Sequence, residues 1–223
     1  LASFTADGNV DAVILDLRTN GGGALKDSVE VSGLFIDEGP VVRVKELDGT
    51  IPPHEDPDPG IAWKGPLVVM TSRMSASASE IFAGAITDYR RGLLVGDETT
   101  HGKGTVQNVM AVRTSSPLNF FDRKPPGALK LTIQQFYRPS GLSTQLRGVR
   151  SDVVIPSITN EISDGEGKLP FAIPFDSIES DEVRNYGQVS KAIKQKIADR
   201  SASRRAESKY FMRQQRLIKS YVQ

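Results

Sequence analysis

Three serines and one lysine are the residues of this chain whose types and spacing favour covalent chemistry. Ser75, Ser77 and Ser79 stand just ahead of a helical pattern, where the free amides and positive end of a helix stabilise negative charge on an attacked atom. A serine hydroxyl is a weak nucleophile and needs a base, and a lysine serves only where burial leaves a neutral amine. Lys103, which follows Gly102, is therefore the predicted base for one of these serines.

The helix that carries the serines is predicted from its apolar periodicity. Phe82, Ile86 and Tyr89 recur at i, i+4 and i+7, so one stripe of the helix faces a core. The serines occupy the position where helix N-caps belong, and Glu80, three residues after Ser77, fits a capping box with it. For the flanking serines, a purely structural role in capping and packing is the alternative.

The lysine is placed by the strand that follows it. Residues 105–112 form a run typical of a strand, in which residues two apart lie on one face. If the strand extends back through Gly104, then Lys103, Thr105 and Gln107 point the same way. Gln107 can then hold the lysine amine by a hydrogen bond without adding a charge that would raise the pKa of the amine.

A histidine keeps a second mechanism open. His101 is one of two histidines in the chain and lies two residues before Lys103. Because histidine is the commoner general base, the residues alone also allow a Ser-His-Asp triad with Asp97 or Asp16.

A glycine loop comes earlier in the chain. A predicted buried strand over residues 10–17 ends in the loop 18–23 with its three consecutive glycines, and a helical pattern follows over residues 25–36. Three glycines let backbone amides approach a ligand closely, although a simple strand-to-helix turn has the same pattern. A nucleotide-binding loop is disfavoured because no Gly-Lys-Ser/Thr sequence ends it. Asp16 and Arg18 are expected to brace this loop.

The remaining elements complete an alternating pattern. Strands are predicted over residues 41–47, 67–70, 93–96 and 128–137, and a proline-rich polar loop over 52–60; residues 153–156 close this part of the chain. This order is that of an α/β layer with active residues at strand ends. Residues 118–126 are predicted to be irregular, with Phe120 and Phe121 either in the core or lining a hydrophobic groove.

Composition places few limits on function. The 223 residues, 38% of them apolar, suffice for one core or for a domain with an appended piece. The chain has no cysteine, which excludes disulfide frameworks and thiolate metal sites. No apolar run approaches the roughly 20 residues that span a bilayer. Because the chain starts at Leu1 and runs almost at once into a strand, it is expected to be a fragment whose N-terminus has been cut away.

The last segment differs in charge from the rest. Residues 189–223 carry ten basic side chains against Asp199 and Glu207, a net charge of +8 in a chain whose total is +1. Apolar residues recur at i, i+4 and i+8 from Val189 to Ile197 and indicate a helix. A basic helical tail suits nucleic acid or an anionic membrane surface, but more often it is a solvated face docked on an acidic neighbour. No nucleic-acid-binding motif accompanies it.

Together these motifs resemble the tail-specific, or C-terminal processing, serine proteases. The resemblance is carried by residues 16–23, 75–80 and 102–107, and it continues in the family's order through 131–138 and 148–156. In combination the motifs are highly specific, and they cover most of the first 156 residues. The segment 174–178 also resembles the longer, periplasmic members of the family.

The resemblance implies a role for each candidate site residue. Ser77 would be the nucleophile, Lys103 the general base, and Gln107 the residue that orients the lysine. The oxyanion hole would be formed by the following backbone amides: Ala78 with Gly22 or Gly23. One departure is the loop Asp97–His101, which is one residue longer than in the family pattern and stretches the spacing from serine to lysine.

The resemblance also implies a fold and a division of the chain. It predicts an α/β fold with a crotonase/ClpP-like core of mixed sheet and flanking helices, plus a helical C-terminal segment. Residues 1–157 would be the C-terminal portion of the Ser-Lys protease core, 158–188 a linker or extension, and 189–223 the basic helical segment. No metal or cofactor is implied.

The activity implied is that of a serine endopeptidase that works through an acyl-enzyme. The family acts on proteins and peptides with apolar C-termini, in the bacterial periplasm or cell envelope. A PDZ domain is expected in the missing N-terminal part, so the fragment alone could be inactive, and no nucleic-acid partner is implied. Two other classes stay open: a crotonase-like acyl-transfer enzyme, which would not need serine and lysine in register, and a catalytically inactive peptide-binding scaffold.

Overall fold

The computed structural model describes residue 8 and residues 10–112, 127–162 and 164–222. In chain order the strands are β1 Val13–Asp16, β2 Pro40–Lys45, β3 Pro53–Glu55, β4 Leu67–Thr71, β5 Leu93–Gly96, β6 Thr105–Ala111, β7 Ala128–Tyr137 and β8 Val153–Val154. The α-helices are α1 Leu25–Gly33, α2 Ala78–Asp88, α3 Thr159–Ile162, α4 Lys191–Glu207 and α5 Lys209–Val222. The predicted irregular stretch with Phe120 and Phe121 lies outside the described residues.

One sheet is parallel and has the strand order β1-β4-β5-β8. Its short apolar strands need crossover connections, and the chain supplies these with α1 and α2. The expectation that residues 10–17 form a buried strand was wrong in two respects. β1 covers only Val13–Asp16 and lies at the edge of the described sheet, and Ile14 is 66% exposed while Leu15 packs against the core.

The second sheet is antiparallel, with the order β3-β2-β7-β6. The proline-rich loop predicted over residues 52–60 was wrong for its first part, because Pro53–Glu55 pairs with β2 as a short strand. Proline is tolerated there because β3 is an edge strand and Pro53 is its first residue.

Helix α2 connects the two sheets. It contacts α1, β5 of the parallel sheet and β2 of the antiparallel sheet. Phe82, Ile86 and Tyr89 are all buried, which confirms the predicted apolar stripe. The position of the first turn of α2, which begins after Ser77, is therefore fixed by both sheets.

The predicted helix over residues 25–36 is shorter than expected. α1 ends at Gly33, and Phe35 and Ile36 follow it as buried core residues. The amides of Phe35 and Ile36 both bond the carbonyl of Ser32, which closes the end of the helix. The helical spacing of apolar residues does not show that α1 ends at Gly33, because the apolar residues that follow Gly33 are buried as well.

The C-terminal part packs back on the core. Residues 169–190, before α4, contain no named helix or strand; here Leu142 is bridged to Ser177 and the amide of Tyr186 bonds the carbonyl of Tyr89. Val189 and Ile197 join a small apolar cluster with β5 and β8, whereas Ile193 is 42% exposed. No helix within the described residues is long and apolar enough to cross a membrane.

The expected α/β class with a helical C-terminal segment is confirmed. Within the described residues, the parallel and the antiparallel strands form one sheet of four strands each. The domain boundaries at residues 157 and 188 stay a prediction.

Candidate active site

Ser77 sits at the start of α2 in an uncommon backbone conformation. It is the N-cap residue, with φ 56° and ψ −115°. Such a conformation costs a non-glycine residue on the order of 1–3 kcal/mol and persists only where neighbouring structure enforces it. The preceding turn does so, because the buried hydroxyl of Ser75 donates to the carbonyl of Leu17 at 2.7 Å and accepts the amide of Ser72 at 3.0 Å.

The glycine loop lies directly against this serine. Gly22 has φ +116°, and a Cβ placed on it would stand 2.9 Å from both the carbonyl oxygen of Ala76 and the Cβ of Ser77. Only glycine therefore allows the loop to approach the nucleophile this closely.

Asn20 holds the glycine loop in place. Its side-chain oxygen accepts the amide of Gly22 at 2.9 Å, and its carbonyl accepts the Ser79 hydroxyl at 2.9 Å and the Ala76 amide at 3.2 Å. Asp16 and Arg18, the residues expected to brace the loop, form an exposed ion pair with each other at 2.7 Å. An asparagine two residues before a glycine is a common side-chain turn, and this signal was available in the sequence.

The two glycines considered for the oxyanion hole differ in whether the backbone amide already donates a hydrogen bond. Gly22 donates to Asn20, whereas the amides of Gly23 and Ala78 donate to no acceptor within the described parts of the chain. Gly23 and Ala78 both line a cavity of about 130 Å³ that also contains Ser77. Of the two glycines, Gly23 is the one with an amide available to a ligand.

The small cavity brings most of the predicted site residues together. The candidate catalytic side chains Ser77, Lys103 and Gln107 all line it. Its remaining walls are apolar side chains from four elements, namely Leu25, Ile81, Val106 and Phe136. The cavity therefore places a serine, a lysine and two free backbone amides beside apolar side chains. Its volume would accommodate a small aliphatic side chain.

Thr105 is the exception to the predicted arrangement. It is buried and does not line the cavity, so the expectation that it shares a face with Lys103 and Gln107 was wrong. The strand begins only at Thr105, and its register against β7 shifts between Val106 and Gln107. Such a bulge interrupts the alternation of side chains between the two faces of the strand, and the prediction depended on that alternation.

Lys103 is half-buried, and its pKa lies below that of a free lysine. Burial of the amine is the largest cause, followed by the charge of Lys130, while Glu166 and Glu80 act in the opposite direction. A lowered pKa raises the fraction of neutral amine near neutral pH, which is the form that accepts a proton.

Glu80 is fully buried, and its carboxylate accepts four hydrogen bonds. Oε2 accepts the backbone amides of Ser77 and Lys103, each at 2.9 Å. Oε1 accepts the hydroxyl of Thr100 at 2.6 Å and the amide of Gly102 at 2.7 Å. Burial raises the pKa of Glu80 to about 7. The sequence pattern gave this residue a local capping role only, because its other partners are distant in sequence.

His101 does not line the cavity that contains Ser77. Its Nε2 lies 3.4 Å from a carboxylate oxygen of Glu166. Asp97 accepts the amide of Arg73 at 2.8 Å and the hydroxyl of Thr159, and Asp16 is paired with Arg18. The structure thus brings neither aspartate to His101, and the side chains of the alternative triad are held by other partners.

The longer loop before the lysine is accommodated within the fold. The hydroxyl of Thr100 bonds Glu80, and the amide of His101 bonds the carbonyl of Ser75 at 3.0 Å. These contacts tie the C-terminal end of the loop to Ser75 and to the first turn of α2, and Lys103 lines the cavity of Ser77. Within the described residues, no group of three or more His, Asp and Glu side chains is arranged to hold a metal ion.

The family model described as Peptidase family S41 matches residues 1–155. The chain belongs to peptidase family S41. The S41 match ends one residue after β8, so it includes the candidate site and every strand of the described residues, and the helices α3, α4 and α5 lie beyond it.

Two curated S41-type relatives show clear sequence similarity. The chain is 48% identical over 183 residues to the tail-specific protease of Haemophilus influenzae (strain ATCC 51907 / DSM 11121 / KW20 / Rd), which covers 81% of this chain and 25% of that protein. It is 34% identical to the carboxy-terminal-processing protease of Bartonella bacilliformis (strain ATCC 35685 / KC583 / Herrer 020/F12,63), covering 64% of this chain and 30% of that protein.

A solved structure is similar as well. The photosystem II D1 C-terminal processing protease superimposes with a TM-score of 0.56 at 31% identity, covering 69% of this chain and 36% of that one. The chain thus spans about a quarter to a third of the length of these relatives.

Proposed function

We propose that this S41 chain carries the catalytic centre of a serine endopeptidase of the tail-specific type. The observation that carries the proposal is the shared cavity of Ser77 and Lys103, in which the pKa of the lysine is lowered by burial. The curated relatives named as proteases support the same activity.

The proposed reaction is acyl transfer to serine followed by hydrolysis. Ser77 Oγ attacks the carbonyl carbon of the scissile peptide while neutral Lys103 accepts the hydroxyl proton and then gives it to the leaving amine. Water attacks the acyl-enzyme in the second half and releases the new C-terminus. Gln107, on the wall of the same cavity, orients the lysine amine without adding charge.

The oxyanion is assigned to the amides of Gly23 and Ala78. Both are free of other acceptors in the described structure and both line the cavity of the nucleophile. Preorganised donors of this kind stabilise the negative oxygen of the tetrahedral intermediate and often supply the largest catalytic contribution. Gly22 contributes through close packing, since its own amide is bonded to Asn20.

The proposed substrates are proteins and peptides with apolar C-termini. The apolar walls of the 130 Å³ cavity beside Ser77 suit a small aliphatic side chain next to the scissile bond. In the native protein we expect a PDZ domain to capture the substrate C-terminus, and we propose the bacterial periplasm or cell envelope as the location.

The test is hydrolysis of an unfolded reporter with an apolar C-terminus by the native protein that carries this sequence. Ser77→Ala and Lys103→Ala should each lower kcat/KM by about a thousandfold or more, because each removes a reacting group. His101→Ala is the matched control and should retain activity within a fewfold.

Two outcomes would reject this function. Turnover by Lys103→Ala together with loss in His101→Ala would make the histidine the base. Absence of both hydrolysis and acylation of Ser77 by a serine-directed probe in the wild type would leave a peptide-binding scaffold.

A further inference from the structure

The backbone around Lys103 is unusually well held. The lysine loop, defined here as Gly102, Lys103 and Gly104, has three amides and three carbonyls, and all six form hydrogen bonds within the described chain. Glu80 accepts the first two amides, and Phe136 donates its amide to the carbonyl of Gly104 at 3.0 Å. A three-residue loop that contains two glycines would otherwise be among the most flexible segments of the fold.

The other three bonds come from one short segment, Thr144–Leu146. The hydroxyl of Thr144 donates to the carbonyl of Lys103 at 2.9 Å, and the amide of Leu146 donates to the carbonyl of Gly102 at 2.8 Å. The side-chain oxygen of Gln145 accepts the amide of Gly104 at 2.8 Å. This segment therefore acts as a brace on the side of the lysine loop that Glu80 does not reach.

Gln145 is the centre of the brace. It is fully buried, and its side-chain nitrogen donates to the carbonyl of Ile173 at 3.0 Å and to Glu166 at 3.3 Å. Every polar atom of its side chain is thus bonded, which fixes the rotamer and with it the acceptor that meets Gly104. A neutral amide does this without a charge close to Lys103.

The close packing of Gly104 against the segment that contains Gln145 requires a glycine at position 104. A Cβ on Gly104 would stand 2.4 Å from the hydroxyl of Ser143 and 2.6 Å from the backbone nitrogen of Gln145. The second of these is a main-chain atom, so any side chain at this position must displace the brace itself.

We propose that Gln145 is a positioning residue for catalysis, which holds the lysine loop at the distance from Ser77 that proton transfer requires. The inference rests on the proposed function of Ser77 and Lys103. Gln145 does not line the cavity and touches no reacting atom, so it acts through the backbone of the lysine loop alone.

The test uses two variants of the native protein that disturb the same contact from opposite sides. Gln145→Met keeps the size of the side chain and removes the acceptor, and Gly104→Ala pushes the unchanged Gln145 away. Gln188→Met is the matched control, because Gln188 also bridges two segments, through Arg91 and the carbonyl of Lys64, away from the lysine loop.

Each test variant should lower kcat by about tenfold to a hundredfold, since a displacement of about 1 Å is enough for such a loss. The Kd of an apolar peptide, measured in a Ser77→Ala background, should stay unchanged. The rising limb of the pH profile should move, because the environment of the Lys103 amine changes. Gln188→Met should match the wild type in all three measurements.

Three results separate the possibilities. Wild-type kcat and pH profile in Gln145→Met would overturn the inference while leaving the proposed function intact. Loss of peptide binding in parallel with kcat would also overturn it, because the role would then be general folding. A wild type without hydrolysis would reject the proposed function on which the inference depends.

Discussion

The backbone amides of Ser77 and Lys103 donate to one and the same oxygen atom, Oε2 of Glu80, each at 2.9 Å. The two candidate reacting residues come from different elements, a helix start and a loop before a strand, and a single buried carboxylate sets their separation. Both oxygens of the carboxylate act as acceptors for these four partners, three of which are backbone amides.

Glu80→Gln should therefore alter the separation of Ser77 and Lys103, because it disturbs the acceptor that their backbone amides share. The amide replaces one accepting oxygen by a donor, which then faces amide or hydroxyl hydrogens. We expect kcat/KM to fall by roughly a hundredfold, as misplacement of reacting groups does. Glu30→Gln, which removes an exposed charge paired with Lys26, is the control and should leave kcat/KM unchanged. Equal activity of Glu80→Gln and wild type would contradict a role for the shared oxygen.

The buried carboxyl of Glu80 should also make stability depend on pH. Its pKa in the native state is about 7, above the 4.5 of an exposed glutamate, because burial disfavours the charged form. The native state then binds more protons than the unfolded state between these values, so the free energy of unfolding should fall as pH rises from 4.5 to 7.

Urea unfolding at intervals of pH measures this dependence. The difference between the wild type and Glu80→Gln isolates the contribution of the one carboxyl from those of the other groups. Parallel curves for the two proteins across the window would show that the carboxyl does not titrate there.

Lys130 offers a way to shift the pH dependence of activity. Activity should rise with pH as Lys103 loses its proton, and the charge of Lys130 helps to lower the pKa of Lys103. Lys130→Glu replaces repulsion by attraction, so the pKa of Lys103 rises and the rising limb of the kcat/KM profile moves to higher pH. Lys26→Glu, an exposed change of the same charge on α1, should leave the limb in place. An unmoved limb in Lys130→Glu would mean that another group controls it.

The glycine loop contains its own matched pair of substitutions. Gly22→Ala introduces a Cβ at 2.9 Å from the Cβ of Ser77 in a backbone with φ +116°, whereas a Cβ on Gly21 meets nothing within 4 Å. Gly22→Ala should lower kcat/KM by about tenfold to a hundredfold through displacement of the nucleophile and the Gly23 amide. Gly21→Ala should remain close to the wild type, and equal losses in both would point to loop flexibility and not to packing.

Val106 should limit the size of the substrate side chain beside the scissile bond. It lines the 130 Å³ cavity, and Val106→Ala removes two methyl groups from that wall. We expect the ratio of kcat/KM for peptides with leucine over alanine at this position to rise by about tenfold. Val109→Ala, which changes an exposed residue of the same strand, is the control. An unchanged ratio would place the side-chain pocket elsewhere.

The parts of this structure that follow from local sequence were predictable, and those that depend on distant partners were not. The apolar stripe of α2 and the N-cap position of Ser77 follow from a period of 3.6 residues and a serine before it. The roles of Glu80 and Gln145 depend on partners about 20 and 40 positions away, such as Gly102 for the former and Gly104 for the latter. No local pattern contains that information.

Two strand errors have the same origin. Thr105 left the predicted face because the register shift is set jointly by β6 and β7, and Pro53–Glu55 became a strand because β2 supplies a partner. In each case the backbone conformation is decided across strands and not along one. The choice between Gly22 and Gly23 differs, since the asparagine turn that decides it is local.

The brace on the lysine loop is supplied by residues that lie about 40 positions later in the chain than the loop itself. A ribosome releases residues from the N-terminus onward, so Ser77 and Lys103 emerge before Thr144, Gln145 and Leu146 exist. Until that segment has been made, half of the hydrogen bonds of the lysine loop have no partner. The hydrogen-bonded form of the lysine loop can therefore be completed only after residue 146 has been made.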